Sequence, residues 1–404
     1  MPVGDVSLPE FNAIPGIRVG IASAGIKKPG RKDITVFELA EGCSVAGVFT
    51  TNAFCAAPVT LAKKHLAATA TRYLLINTGN ANAGTGSKGL AAAQESCRFL
   101  GEQAGCAPEA VLPFSTGVIG ELLPVEKVTS AIPHALANLQ ENGWADAASA
   151  IMTTDTVPKG ASVKVQTSKG AIFLSGISKG AGMICPNMAT MLSFVGTDAC
   201  IAPELLQRLL AESVNQSFNR ITIDGDTSTN DACILVASGL GVEVTEHDSE
   251  ILTVFKQALD ALMQRLATLI VRDGEGATKF MTVAVEGAAQ SEEALAVAYT
   301  VAHSPLVKTA FFASDPNWGR ILAAIGRSGV ANLDVSQISI WLDEVCIVEG
   351  GARAASYTEE QGQAVMDRAE ITIRIALARG AHCEQVWTTD LSHEYVTINA
   401  EYRT

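Results

Sequence analysis

Between Lys179 and Phe194 the chain reads Lys179-Gly-Ala-Gly-Met-Ile-Cys-Pro-Asn-Met-Ala189-Thr190-Met-Leu-Ser193-Phe194, and Thr190 is the residue on which chemistry could turn. A threonine hydroxyl is a poor nucleophile without a base beside it, and one source of that base is the free α-amine of the same threonine, exposed once the preceding bond is cut. Such an amine titrates near about 7.7 to 8.0, close to the working pH of a general base. Glycines and Pro186 on the N-terminal side suit an irregular junction, and the apolar run after Thr190 suits a buried strand. Thr190 is then expected at the head of that strand, with its hydroxyl beside the Ala189 carbonyl. A β-branched residue that merely opens a strand is the plainer alternative on these residues alone.

Other stretches could assist. Ser115-Thr-Gly-Val-Ile-Gly120 follows a short strand pattern, and its glycines would let backbone N–H groups face a ligand as an oxyanion hole requires. An ordinary strand-end turn explains the same residues. Lys179 is either a surface cation or a point charge for a substrate carboxylate. Glu275, between Gly274 and Gly276, could meet a substrate ammonium at close range. The polar run 224–231 invites a calcium reading and fails it. Thr229 stands where an EF-hand loop needs glycine, and Leu235 where it needs a bidentate glutamate, so a turn rich in side chain to backbone bonds is expected instead. Neither 84–89 nor 274–279 forms a phosphate loop, because Gly-Lys-[Ser/Thr] at the required spacing is missing.

Several of these segments resemble, in order, the glutamate N-acetyltransferases, also called ornithine acetyltransferases, of arginine biosynthesis. The matching stretches are Ala46-Gly-Val-Phe-Thr50-Thr-Asn, Asn77-Thr-Gly-Asn-Ala-Asn, Ser115-Thr-Gly-Val-Ile-Gly120, Thr153-Thr-Asp-Thr156, the Lys179 to Leu192 junction, Asp273-Gly-Glu-Gly-Ala-Thr-Lys279 and Asp315-Pro-Asn-Trp-Gly-Arg320. The resemblance spans nearly the whole chain. It implies self-cleavage between Ala189 and Thr190, then acetyl transfer from N2-acetylornithine to glutamate through an ester on Thr190, with Thr116 and Gly117 as the oxyanion hole. It further implies substrate binding by Thr156, Lys179, Thr190, Glu275, Asn399 and Thr404, and it leaves acetyl-CoA open as a second donor. No cofactor and no metal are implied. The fold implied is a layered αββα-type sandwich with a smaller C-terminal α/β domain, and the assembly a heterotetramer of two copies of each cut chain. Gly84 departs from the usual pattern, since many relatives carry cysteine there. The rival function is an aminopeptidase or amidase with a self-generated N-terminal nucleophile, in which water is the acceptor.

Composition bounds the rest. A chain of 404 residues, 48% of them hydrophobic, can bury a large core, and its length suits two or three domains. A net charge of −13 argues against a nucleic-acid partner. Residues 1–33 show neither a signal peptide nor an amphipathic transit peptide, and no apolar run reaches the roughly 18 residues that span a bilayer. Nine unclustered cysteines and six scattered histidines fit reduced thiols and no zinc spacing, so a cytoplasmic protein is expected. Pattern places a hairpin over 34–51, a buried strand at 73–77 and helices near 90–103, 125–140, 144–152, 203–217 and 249–272. It also places a short strand at 220–224 and a strand-like tail from 395. Beyond 280, β runs alternate with helical ones. The domains expected are therefore 1–283, with a helical insert near 200–272, and 284–404.

Overall fold

The structure, a computed structural model, describes residues 2–185 and 191–401. It divides into two compact units, one made of Ser7–Asn219 and Asp226–Ile270, the other of Met1–Val6, Arg220–Gly225 and Val271–Thr404.

The larger unit runs β1 (Ile17–Ala22), β2 (Ile34–Leu39), β3 (Ser44–Phe49), α1 (Ala57–Ala68), β4 (Tyr73–Asn80), α2 (Gly86–Ala104), β5 (Val111–Val118), α3 (Val125–Ala137), α4 (Trp144–Ala150), β6 (Lys159–Thr167), β7 (Gly170–Lys179), β8 (Leu192–Thr197), α5 (Pro203–Gln216), β9 (Ala232–Ala237) and α6 (Ser249–Arg272). The strands form a four-stranded sheet, β1-β2-β4-β5, and a five-stranded sheet, β3-β9-β8-β7-β6. Alternation along each strand assigns its two faces. In the first sheet Phe37, Leu74, Ile76, Leu112 and Phe114 share one core with Ile177, Leu192, Phe194 and Ile234 of the second. The opposite face, with Val36, Tyr73, Leu75 and Val111, packs on Ala93, Cys97 and Leu100 of α2 and on Val128 and Ile132 of α3. Strands of the first sheet are thus buried on both faces, which is why Tyr73-Leu-Leu-Ile reads as an unbroken apolar run rather than an alternating one. The second sheet is covered by α5 over β3 and by α6, whose Leu262 and Leu266 lie against Gly176. The layers are helix, sheet, sheet, helix, as expected. Phe194 links the two sheets, with ring centres 5.5 Å from Phe37 and 5.1 Å from Phe114. Such pairs add roughly 0.5 to 1.5 kcal/mol each beyond the area they bury.

The expected hairpin over 34–51 is not formed. β2 lies between β1 and β4, whereas β3 pairs with β9 in the other sheet. The turn at Glu41-Gly42 therefore carries the chain across the sandwich, and the edge of β2 that a hairpin partner would take is filled by β1, a strand that pattern alone did not assign.

The smaller unit contains β10 (Phe280–Ala288), α7 (Ser291–Ala302), α8 (Pro305–Phe312), α9 (Trp318–Gly326), β11 (Ser339–Leu342), β12 (Val345–Glu349), β13 (Ala352–Arg353), α10 (Glu359–Met366), β14 (Glu370–Ala376), β15 (His382–Thr389) and α11 (His393–Ala400). Its sheet has the order β13-β12-β11-β14-β10-β15, with β10 and β14 parallel. A boundary at 283/284 would fall inside β10. Two local expectations change here. Residues 220–224 follow from a 3-10 turn that ends at Arg220 and hold one isolated bridge, Ile221 to Trp387, instead of a strand. The tail is helical: the Ser392 hydroxyl accepts the Tyr395 N–H as an N-cap, and α11 forms although Tyr395, Val396, Thr397 and Ile398 favour strands.

Candidate active site

Ala189, Thr190 and Thr404 lie outside the described residues, so the site is built from what flanks and faces them. β8 opens two residues after Thr190, and its register sets Leu192 opposite Lys179, the last residue of β7. On the other edge Leu192 pairs with Ala232 of the parallel strand β9. Met191 is tied down twice, its N–H donating to Asp231 Oδ1 at 2.9 Å and its carbonyl accepting the Ala232 N–H at 3.2 Å. Met191 is therefore fixed by the ladder and by one carboxyl group.

Thr116 and Gly117 lie in the last three residues of β5, in the opposite sheet. Lys179 Nζ donates to Thr116 Oγ1 at 3.1 Å, with Lys179 3% and Thr116 5% exposed. Residues 63 apart in sequence meet here across the sandwich. The register of β5 against β4 slips at Gly79 and Asn80, a bulge opposite Gly117, and bulges re-aim the backbone beside them. Gly117 has a φ of 134°, and a Cβ there would stand 2.3 Å from the Gly79 carbonyl carbon, so only glycine fits on both counts.

Amide side chains hold this end of β5 in place. Ser115 Oγ donates to Asn77 Oδ1 at 2.6 Å, Asn77 Nδ2 donates to the Asn80 carbonyl at 2.9 Å, and Asn230 Nδ2 donates to the carbonyls of Ala81 at 2.6 Å and Ser115 at 2.9 Å. The acidic-looking run near 226–231 is thus a bracket of side chain to backbone bonds, as expected. Among the described residues no group of three or more His, Cys, Asp or Glu could hold a metal ion.

Behind Lys179 lies a group that sequence reasoning missed. The side chains of Asp155 and Lys159 are fully buried and paired at 2.6 Å. Asp155 Oδ1 also accepts the Gly180 N–H at 2.7 Å, and Oδ2 accepts the Thr153 N–H at 2.9 Å. Burial alone would raise this carboxyl, yet Lys159, Lys179 and the Gly180 N–H outweigh it and hold it well below the usual carboxylate range. Asp155 is therefore an anion that anchors the peptide just after Lys179. The signal was present in Thr153-Thr-Asp-Thr156, but that stretch drew notice to Thr156, which the structure places exposed in the loop before β6. Asp231 is the second missed carboxyl. It is wholly buried, and burial raises its pKa well above the ordinary value against the pull of the Met191 N–H, the Ser228 and Thr50 hydroxyls and Lys179.

In the smaller unit the structure brings together Glu275 and Asn399. Asn399 Nδ2 donates to Glu275 Oε2 at 2.8 Å and to the Tyr395 carbonyl at 2.9 Å. Gly276 has a φ of 69° and passes so close to Ser392 Oγ and the Tyr395 N–H that a Cβ would stand 2.5 Å from each. Asp390 completes the support, accepting the N–H groups of Thr278 and Lys279. The helical tail, rather than an edge strand, is what presents Asn399 to this loop.

Known proteins resemble the chain over most or all of its length. The family model of the ArgJ family matches residues 18–404. A protein of Pseudomonas fluorescens (strain Pf0-1) named arginine biosynthesis bifunctional protein ArgJ is 60% identical over 406 residues, covering 100% of both chains. One of the same name from Methylococcus capsulatus is 57% identical, covering 97% of this chain and 96% of that protein. Among solved structures, an arginine biosynthesis bifunctional protein ArgJ from Bacillus halodurans is 42% identical with a TM-score of 0.50, covering 52% of this chain and 99% of that one.

Proposed function

The chain belongs to the ArgJ family, and from that premise we propose that it cuts itself between Ala189 and Thr190 and then carries acetyl from N2-acetylornithine to glutamate as an ester on Thr190. It is an acetyltransferase of arginine biosynthesis. Whole-length identity of 60% to a bifunctional ArgJ protein sets aside the aminopeptidase alternative. That relatives are named bifunctional supports acetyl-CoA as a second donor for making N-acetylglutamate. A cytoplasmic heterotetramer of two copies of each cut chain is the assembly that goes with this reading.

The observation that carries the proposal is the Lys179 to Thr116 bond at the head of β8, next to the point where the chain carries Thr190. Because Lys179 donates to Thr116 Oγ1, the threonine acts as acceptor in that bond and keeps its own hydrogen to give elsewhere. A hydroxyl polarised by an ammonium is a strong donor to a developing oxyanion, and the Gly117 N–H is the second donor in this reading. The neutral α-amine of Thr190 takes the proton from its own Oγ as Oγ attacks the acetyl carbonyl, and the ammonium then gives it to the leaving amine of ornithine. Glutamate enters and the steps run in reverse. Lys179, Thr156, Glu275, Asn399 and Thr404 are proposed as substrate contacts. Support for the cut comes from the Bacillus halodurans chain, which is 99% covered while matching 52% of this one, as a separated half would.

Mass spectrometry of the purified protein tests both steps. Two polypeptides are expected, the second starting at Thr190 and gaining one acetyl group on incubation with acetylornithine, which glutamate then removes. One uncut chain, or acetyl loss that glutamate does not accelerate, would overturn the reading.

A further inference from the structure

We propose that Lys308 is a positioning residue for the Glu275 and Asn399 pair, setting the loop that carries Glu275 so that its carboxylate meets a substrate ammonium. This rests on the substrate contacts proposed above and deepens them. Lys308 lies on α8 and is 4% exposed, and its ammonium reaches the end of β15 in the same unit. Nζ donates to Thr388 Oγ1 at 2.9 Å, to the Thr389 carbonyl, and to Thr389 Oγ1 at 3.5 Å. The Lys308 carbonyl accepts the Leu391 N–H at 3.3 Å, so backbone and side chain together grip residues 388–391.

The Glu275 loop leans on that segment at three points. A Cβ on Gly274 would stand 2.9 Å from Thr389 Cγ2, so Thr389 packs against the residue just before Glu275. Asp390 Oδ1 accepts the N–H groups of Thr278 at 2.8 Å and Lys279 at 2.9 Å, and Oδ2 accepts the Thr278 hydroxyl at 2.5 Å. Ser392 Oγ donates to the Gly276 carbonyl at 2.6 Å while capping α11, the helix that brings Asn399 Nδ2 to Glu275 Oε2. Tyr395, on the same helix, donates its hydroxyl to Asp224 Oδ2 at 3.1 Å. Lys308 therefore holds the Thr388 to Leu391 strap, and the strap holds both the loop and the helix that meet at Glu275.

An ammonium is a costly way to fill this space. Lysine is rarely buried unless paired, and the oxygens that Lys308 touches are all neutral. Burial pulls its pKa down to about 8 against the opposing pull of Asp390 and Asp224, and His303 is the other titratable group facing it. Methionine would fill the same volume without that cost. It could not hold the Thr389 carbonyl and two hydroxyls in one orientation, which takes a side chain with three donors.

Acetyl transfer from acetylornithine to glutamate by the purified enzyme tests this, with kcat and KM taken for each substrate. Lys308→Met is expected to raise KM roughly tenfold for the substrate whose ammonium Glu275 holds, with kcat within about threefold, the mark of binding lost equally from ground and transition states. Glu275→Gln should raise the same KM, and adding Lys308→Met to it should change little more, because both act through one contact. Val365→Ala opens a cavity in the core of the same unit, so it should lower the melting temperature and leave both KM values alone. If E275Q keeps both KM values within about twofold of wild type, the Glu275 contact falls, and Lys308 with it. If E275Q raises KM while K308M does not, or K308M multiplies KM as much on the E275Q chain as on wild type, only the role of Lys308 is overturned. A rise in V365A equal to that in K308M would overturn it too, since KM would then follow stability alone. Should methionine prevent folding, Thr388→Val removes one acceptor and keeps the side-chain shape. A KM rise of about threefold then supports the role of Lys308, and an unchanged KM overturns it.

Discussion

Asp155 and Asp231 sit in the same unit, each with its side chain enclosed, and each takes a backbone N–H from the segment between β7 and β8, Gly180 for one and Met191 for the other. They nevertheless settle in opposite protonation states. Asp155 adds a second N–H and a lysine ammonium at 2.6 Å, and these overcome the cost of burial. Asp231 has Lys179 only as a more distant charge, and burial wins. Whether a buried carboxyl keeps its proton is decided by a single contacting cation, because desolvation alone can carry the group far above its ordinary range. The residues just after β7 and just before β8 are thus held by an anion on the Lys179 side and by an acid on the β8 side.

The sharpest way to break this contrast is to remove the cation. Lys159→Met should cost about 3 to 5 kcal/mol by leaving the Asp155 charge unpaired, read by denaturant unfolding of the uncut T190A chain, and a loss under about 1 kcal/mol would deny the pair its part. Next in size is the residue that Lys179 touches. Thr116→Ala should lower kcat for acetyl transfer about 100 to 1000-fold with little change in substrate affinity, whereas a change confined to KM would make Thr116 a binding residue.

Stability against pH should separate the two carboxyls by sign. Asp155 is held below its ordinary value of 3.8, so its contribution is present above that value and is lost as pH falls through the acid range. Asp231 is held above 3.8, so its contribution is complete in acid and is lost as pH rises toward its folded pKa. Each tenfold difference in proton affinity between the folded and unfolded chain is worth about 1.4 kcal/mol. On the T190A background, Asp231→Asn should therefore flatten the decline from acid toward neutral pH, and Asp155→Asn should flatten the acid limb. Identical profiles for the two variants would erase the distinction. The smallest expected effect is on the catalytic amine. Lys179→Met removes a like charge near Thr190, so the ionisation in kcat/KM for acetylornithine should move upward, besides any loss of binding, and a downward move would contradict the placement of Lys179.

Much of the layered core could be read from pattern, because helices such as 203–217 and 249–272 are strongly amphipathic and strands such as 73–77 are continuously apolar. The hairpin over 34–51 misled because two adjacent strands with a glycine turn look the same whether they pair with each other or enter opposite sheets. The tail misled because one capping serine outweighed four strand-favouring residues. In the site, Lys179, Thr116 and Gly117 were chosen by resemblance, and Lys179 and Thr116 now share a hydrogen bond. Asp155 and Asp231 escaped notice since no periodicity marks a carboxyl as buried. Asp231 was read as part of a polar turn and Asp155 stood in a stretch noted for Thr156, and only packing shows that both carboxyls face inward.

The order of the five-stranded sheet has a consequence for the cut protein. A break at 189/190 would assign β3, β6 and β7 to one polypeptide and β8 and β9 to the other, and the sheet reads β3-β9-β8-β7-β6. The second polypeptide's two strands would be laced between strands of the first, hydrogen-bonded to them along both outer edges. Neither piece would keep this sheet intact without the other. The halves would be woven rather than docked, separable only by unravelling the sandwich, so the scission that frees the Thr190 amine would leave the two products no route to drift apart.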